Sequence, residues 1–323
     1  SFMRLRYQFA LVQAIRNYFT QNGFIDVLTP PMVQNPGMET HIHPFEVFAK
    51  KNNKSSGQFL HTSPEFHMKE LLSLEEEGFD KIFNISYCFR DEPSSPIHRS
   101  QFLMLEWYRK NERYEKIMED CERLVRHCLQ ELENSGSPIK KSLQNFSPVK
   151  ATVQELIKDE CKFDILNFLD TSELKRKIEK DFKDVPLPSS YCDWDDYFFL
   201  LFLNKVEPKF ESIPYLLLYE FPAPLAALST LKEDEPRVCE RFEIYMNGVE
   251  LCNCFNELTD LEMQKKRFKQ QEVDKKRLYG YELPKPEVLY SALEKGLPPS
   301  AGVALGVERL LANLTGVTNP FYN

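Results

Sequence analysis

The chain has 323 residues, room for one large domain or two ordinary ones, and 42% of them are hydrophobic, enough to build a real core. Its 11 glycines and the absence of any GxxxxGK[ST] or GxGxxG string speak against a phosphate site cradled on a glycine-rich loop. With 41 Lys+Arg against 49 Asp+Glu the net charge is -8, which argues against broad, sequence-blind binding to nucleic acid or to an anionic membrane and leaves room only for a local basic groove.

Leu5, Phe9, Val12, Ile15 and Phe19 recur at helical spacing and Gly23 supplies a stop, so the chain is expected to open on an amphipathic helix. A strand over 24–28 ends at Thr29-Pro30-Pro31. Residues 46–60 read as a hairpin with a polar tip over 50–57. Thr62-Ser63-Pro64-Glu65 has capping-box spacing and a proline suited to a first turn, so helix capping is a sufficient account of Glu65. Strands over 85–90 and 102–109 flank a polar loop holding Asp91, Glu92, His98 and Arg99, and a helix over 115–132 follows. A Ser, Gly, Pro and Lys-rich linker then leads into helical patterns around 153–157, 172–182 and 194–206, which read as an accessory, mainly helical insertion over about 135–212. A leucine-rich strand over 215–221 precedes a hairpin, and strands and turns continue up to a final helix after Gly306.

No apolar run approaches the roughly 20 residues of a membrane span; the longest covers 197–203, and the stretch from Tyr215 is broken by Glu220, Pro222 and Pro224. The opening segment is charged and carries no apolar leader. The 8 cysteines form no CxxC pair and have no histidine partner at zinc spacing, so they read as reduced thiols. A cytoplasmic protein is expected.

Three constellations can carry chemistry. Period-two alternation over 102–109 puts Phe102, Met104, Glu106 and Tyr108 on one face, with Leu103, Leu105 and Trp107 on the core face. Phe102 and Glu106 lie about 13 Å apart, a spacing that suits a cleft holding a flat ring at one end and an amine at the other. In the second, Asn247-Gly248 marks a hairpin turn. Pairing Met246 with Val249 sets Tyr245 opposite Glu250 and Glu243 opposite Cys252, leaving Glu243 and Glu250 as diagonal neighbours. Two carboxylates that close suit a hard cation such as Mg²⁺, while a salt bridge to Arg241 or Lys232 is an equal alternative. Asn253 and Glu257 join Glu250 on one face only if a bulge intervenes. In the third, Val307, Leu310, Leu311 and Leu314 describe a buried helix with Arg309 in its first turn. A phosphate there would form an anion site, and Glu308 or Glu243 could instead balance the arginine.

In this order the strings resemble class II aminoacyl-tRNA synthetases, specifically the lysyl branch and its protein-modifying paralogs. Thr29-Pro30 resembles motif 1, Phe89-Arg90-Asp91-Glu92 through Phe102 and Glu106 resembles motif 2, and the stretch from Gly302 to Arg309 resembles motif 3. Thr62-Ser63-Pro64-Glu65-Phe66-His67-Met68-Lys69 and Glu257-Leu258-Thr259-Asp260 match the paralogs as well, and the likeness spans nearly the whole chain.

The resemblance implies an α+β catalytic domain, an antiparallel sheet flanked by helices, in a homodimer without an anticodon-binding domain. It implies that ATP is held by Arg90 at the α-phosphate, Glu92 at the adenine amino group, Phe102 stacked on adenine, and His98 and Arg309 at the terminal phosphates. Mg²⁺ would sit on Glu243 and Glu250. Lysine or (R)-β-lysine would be bound by Ser63, Glu65, Glu106, Tyr108, Asn253, Glu257 and Ala304: Glu65 takes the α- or β-amino group, Asn253 the carboxylate, and Glu106, Tyr108 and Glu257 the terminal ammonium. The implied acceptor is a lysine side chain of elongation factor P, with tRNA disfavoured by the charge. Aminoacyl-tRNA or amide formation on the same core, or an inactive paralog serving as a binding module, are the alternatives. The chain departs from the family in three places. His98-Arg99-Ser100-Gln101-Phe102 replaces His-Asn-Pro-Glu-Phe, Asn253-Cys254-Phe255 replaces Asn-Gly-Phe with a side chain expected to narrow the cleft, and Ala304 replaces a glycine of lysyl-tRNA synthetases. The Ala304 methyl is worth about 1 to 3 kcal/mol of discrimination.

Overall fold

The computed structural model describes residues 2–93, 98–190 and 192–317. The chain divides into two compact units, one formed by residues up to Ile139 together with those from Glu257 onward, the other by Lys140–Asn256.

The first unit opens with α1 (Phe2–Gln21) and β1 (Ile25–Asp26), then β2 (Met32–Val33), β3 (Glu46–Ala49), β4 (Lys54–Leu60), α2 (Glu65–Leu72), β5 (Lys81–Phe89), β6 (Gln101–Lys110) and α3 (Tyr114–Asn134). The buried face of α1 is turned one position from the expected stripe: Gln8, Leu11, Ile15 and Phe19 are buried while Phe9 is 57% exposed. Packing of Phe19 on Phe83 (ring centroids 4.9 Å apart) and Trp107 (5.0 Å) sets that orientation. Beyond the 50–53 turn the polar stretch pairs as a strand rather than staying a loop, because Ser55 Oγ donates to Glu46 Oε1 (2.8 Å) and Ser56 Oγ to the Val47 carbonyl (2.7 Å).

β5 runs parallel to β1 and antiparallel to β6, with Phe83 opposite Trp107 and Asn84 opposite Glu106. The odd-numbered residues of β6 face α1 and α3. There Asp120, 2% exposed, accepts from Trp107 Nε1 (3.2 Å) and from Arg109 Nε (2.7 Å) and Nη2 (2.8 Å). Replacing Asp120 by alanine would leave a half-buried guanidinium and the Trp107 N–H without their acceptor, and denaturant unfolding should show a loss of about 2–3 kcal/mol.

The second unit comprises β7 (Val149–Thr152), α4 (Val153–Cys161), α5 (Thr171–Asp181), α6 (Trp194–Lys205), β8 (Leu216–Pro222), β9 (Val238–Met246) and β10 (Val249–Asn256). Its strands run in the order β7, β8, β9, β10, with β7 parallel to β8 and the other pairs antiparallel. Thr152 and Glu155 form a reciprocal capping box at α4, and Ile157, Ile178, Phe198, Phe202 and Leu218 share one apolar core. The β9–β10 turn falls on Asn247 (φ 48°) and Gly248 (φ 83°), both left-handed, as a two-residue type I′ connection requires.

The first unit closes with α7 (Leu261–Tyr279), α8 (Glu287–Glu294), β11 (Ser300–Gly306) and α9 (Val307–Thr315). Two helices therefore stand where strands and turns are expected. The reason is that α7 buries only Gln264, Phe268 and Lys275, too sparse a stripe to register as periodicity. Its boundaries are nonetheless marked: Asp260 accepts from the Met263 N–H and Gly280 terminates the helix at φ 76°. β11 lies antiparallel to β6, with Gly302 opposite Tyr108, Ala304 opposite Glu106 and Gly306 opposite Met104.

Candidate active site

The first unit gathers most of the expected residues along the even-numbered face of β6. At one end Tyr108 OH donates to Glu106 Oε1 (2.6 Å) and Ser63 Oγ donates to Glu106 Oε2 (2.8 Å), so both oxygens of this 2%-exposed carboxylate are held. Burial, reinforced by the nearby Glu65, raises the Glu106 carboxyl to about 7 despite those hydrogen bonds.

The capping-box expectation fails here. Pro64 occupies the N-cap of α2, Thr62 Oγ1 donates to the Pro36 carbonyl (2.7 Å), and Ser63 Oγ accepts from the Glu65 N–H (3.1 Å). Since Thr62 turns to a neighbouring loop, the Glu65 carboxylate is available to Lys69, 3.0 Å away. Lys69 also lies 2.7 Å from Glu257 Oε2, and Glu257 is tied to β11 by its own N–H to the Ser300 carbonyl (2.9 Å). Burial raises the Glu257 carboxyl above its ordinary range, with Lys69 opposing and Glu65 and Glu106 adding to the rise. Burial alone would lower Lys69, but Glu257 and Glu65 outweigh it and hold the ammonium charged.

At the other end of the same face the Arg90 guanidinium lies 5.1 Å from the centroid of the Phe102 ring and donates weakly to the Thr62 carbonyl (Nη2, 3.3 Å). The Arg90 N–H bonds the Ser100 carbonyl (2.8 Å) and closes the base of the loop that carries Glu92 and His98. Residues 94–97 of that loop lie outside the described residues. Arg309 stands in the first turn of α9, after Gly306 at the N-cap. Its neighbour Glu308 accepts from the Leu103 N–H with both oxygens (2.9 and 3.0 Å), which fixes the start of α9 beside Phe102.

In the second unit a register shift between Glu250 and Cys252 supplies the bulge on which a shared face depends. Glu250 stays opposite Tyr245, but Asn253 rather than Cys252 comes opposite Glu243, and Phe255 opposite Arg241. Glu243, Glu250 and Asn253 therefore share a face. Cys254, paired with Phe242 and fully buried, points to the opposite one and does not narrow a cleft on the Glu243 face.

Arg241 organises this group. It donates to Glu243 Oε1 (2.6 Å), Asn253 Oδ1 (3.1 Å) and the Leu225 carbonyl (2.8 Å), while Tyr245 OH donates to Glu243 Oε2 (2.8 Å). The salt-bridge alternative for Glu243 is thus realised with Arg241, whereas Lys232 pairs with Glu220 (2.8 Å). Each Glu243 oxygen retains a second lone pair, and with Glu250 on the same face the donor set fits a hard divalent cation. A further carboxylate group, Asp193, Asp195 and Asp196, stands at the start of α6, where Asp196 accepts from the Asp193 N–H (3.0 Å).

Sequence reasoning missed Lys69, Arg241 and Tyr245 as site residues. The Glu65 to Lys69 spacing and the Arg241-x-Glu243-x-Tyr245 alternation were the signals that could have found them.

Antiparallel strands backed by helices, an arginine over an aromatic ring at one end of a strand and a set of buried carboxylates at the other define a class II synthetase-like core. A profile of the family described as tRNA synthetases class II (D, K and N) matches residues 2–319, and the chain belongs to that family. It is 34% identical to the elongation factor P–(R)-β-lysine ligase of Proteus mirabilis over 95% of this chain and 89% of the relative. The proteins of the same name from Salmonella arizonae and Edwardsiella ictaluri are 33% and 34% identical, each over 94% of this chain and 88% of the relative. The chain is an ATP-dependent amino acid ligase of this family. Among the described residues no helix is long and apolar enough to cross a membrane.

Proposed function

We propose that this enzyme condenses lysine or (R)-β-lysine with ATP and passes the activated acyl group to a lysine side chain of elongation factor P in the cytoplasm. One observation carries the reading. Three buried or half-buried carboxylates, Glu65, Glu106 and Glu257, cluster with Ser63 and Tyr108 at one end of the β6 face whose other end presents Phe102 and Arg90. Such a polarity suits a nucleotide whose α-phosphate meets a substrate carrying two ammonium groups.

The substrate carboxylate attacks the α-phosphorus, the bond to the β-phosphate oxygen breaks, and pyrophosphate leaves the aminoacyl-adenylate. Arg90 neutralises charge developing at the α-phosphate, and His98 and Arg309 hold the departing phosphates. Phe102 stacks on adenine and Glu92 accepts from its amino group. Glu65 holds the α- or β-ammonium, Glu106, Tyr108 and Glu257 the terminal one, and Asn253 orients the carboxylate. Mg²⁺ on Glu243 and Glu250, when bound, would neutralise phosphate charge. The acceptor amine then attacks the acyl carbon, AMP departs and an amide forms. On this reading 135–212 is an insertion in one catalytic domain. The enzyme acts as a homodimer, a proposal supported by exposed apolar residues in the motif 1 region, Phe9 at 57% and Leu28 at 91%.

Amino-acid-dependent ATP–pyrophosphate exchange tests the first half-reaction, and incubation with ATP, (R)-β-lysine and unmodified elongation factor P tests the second. The factor should gain one β-lysyl mass. Charging of bulk tRNA in its place would favour the aminoacyl-tRNA alternative, and no exchange with any lysine-like substrate would favour a binding module.

A further inference from the structure

Lys69 is a fully buried cation to which the reaction above gives no part. It stands one turn after Glu65 on α2, and its ammonium reaches Oε2 of Glu65 (3.0 Å) and Oε2 of Glu257 (2.7 Å), which arrives from the far end of the sequence. A buried ammonium is retained only where carboxylates compensate it, and buried carboxylates stay ionised only beside a cation. Dependence therefore runs both ways. The third carboxylate, Glu106, takes its hydrogen bonds from Ser63 and Tyr108 instead.

Resting on the reading of this site as an amino-acid pocket, we infer that Lys69 is a positioning residue that sets which amino acids the enzyme accepts. By taking Oε2 of both Glu65 and Glu257 it fixes how each carboxylate is turned and assigns Oε1 of each to substrate. It also sets the charge balance: once a bound substrate draws all three carboxylates into their ionised form, three less one lysine leave two negative charges, matching a substrate with two ammonium groups. A monoamino acid would leave one of those charges buried and unmatched.

Exchange kinetics as a function of amino acid and of ATP, from about pH 6 to 9, test this in wild type, Lys69→Met and Lys69→Arg. Lys69→Met should raise the KM for lysine or (R)-β-lysine by about 10²-fold and leave the KM for ATP unchanged. It should also move upward the pH at which the amino-acid KM levels off, because Glu257 loses the cation that favours its ionised form. Lys69→Arg, which keeps the charge, should recover part of the KM and the wild-type pH profile. If Lys69→Met does not fold, the pair Lys69→Met with Glu65→Gln removes one buried charge of each sign, and the upward pH displacement should persist through Glu257. A folded variant with wild-type amino-acid KM and pH profile, whatever its melting temperature, overturns the inference. Absence of exchange in the wild type with every diamino acid overturns the site reading and this role with it.

Discussion

Gly302→Ala should cost about 10²-fold or more in kcat/KM for the amino acid while leaving the KM for ATP near its original value. A Cβ at Gly302 would lie 2.1 Å from Tyr108 Cε1, 2.3 Å from Tyr108 Cδ1 and 2.8 Å from Glu257 Oε1. All three distances lie inside contact range, so Tyr108 must move. Tyr108 is 2% exposed, and its hydroxyl holds Glu106 Oε1 at 2.6 Å. Any displacement of the ring therefore removes that hydrogen bond and turns the carboxylate. Gly302 lies in an extended strand, and the penalty arises at the facing side chain rather than in the backbone. Arg90 and Phe102 sit at the other end of β6 and should keep their geometry. Titrating exchange activity separately with amino acid and with ATP, alongside a thermal melt, measures the effect. An alanine variant with an amino-acid KM within twofold of wild type would sink the argument. Ala304, two residues on and opposite Glu106, carries the same added methyl at a half-buried position, so the strand as such admits alanine.

The β6 face was legible because period-two alternation is local: Phe102, Glu106 and Tyr108 take their places from backbone geometry alone. The hairpin was legible as far as its turn, since Asn247-Gly248 fixes which residues start each strand. Beyond Glu250 the register depends on a bulge that no local residue announces: strict alternation sets Glu243 opposite Cys252 and Cys254 on the Glu250 face, whereas Glu243 faces Asn253 and Cys254 faces Phe242. Lys69 illustrates the same limit at longer range. Its spacing from Glu65 is readable as an exposed helical pair, but burial and the contact with Glu257 are tertiary facts. α7 escaped for a different reason, since its residues are charged on nearly every side and only its caps carried a signal.

Amino-acid binding should tighten as pH rises and level off only above about 8, where both raised carboxyls that meet the terminal ammonium, Glu106 and Glu257, are ionised. Glu106 titrates at about 7 because burial and Glu65 disfavour its charged form. Below that pH the ligand-free pocket holds a neutral acid, whereas a substrate ammonium binds the carboxylate. Each protonated carboxyl must then expel a proton on binding, and the amino-acid KM should fall about tenfold per pH unit for each of them on the acid side. Glu106→Gln should make that slope shallower, leaving the part due to Glu257, and raise the KM overall.

Stability should move the other way. A carboxyl whose folded pKa lies above its unfolded value near 4.5 contributes stability in full below 4.5 and loses it as pH rises through about 7. The loss is about 3 kcal/mol in order of magnitude. Thermal melts of wild type against Glu106→Gln between about pH 4.5 and 8 isolate it: the wild type should weaken relative to the variant across that window. Lysine-type substrate should offset the loss by supplying the missing cation, so its stabilisation of the wild type should be larger at pH 8 than at pH 6. Equal ligand-induced shifts at the two pH values, with saturating amino acid, would mean that Glu106 is not the group that meets the ammonium.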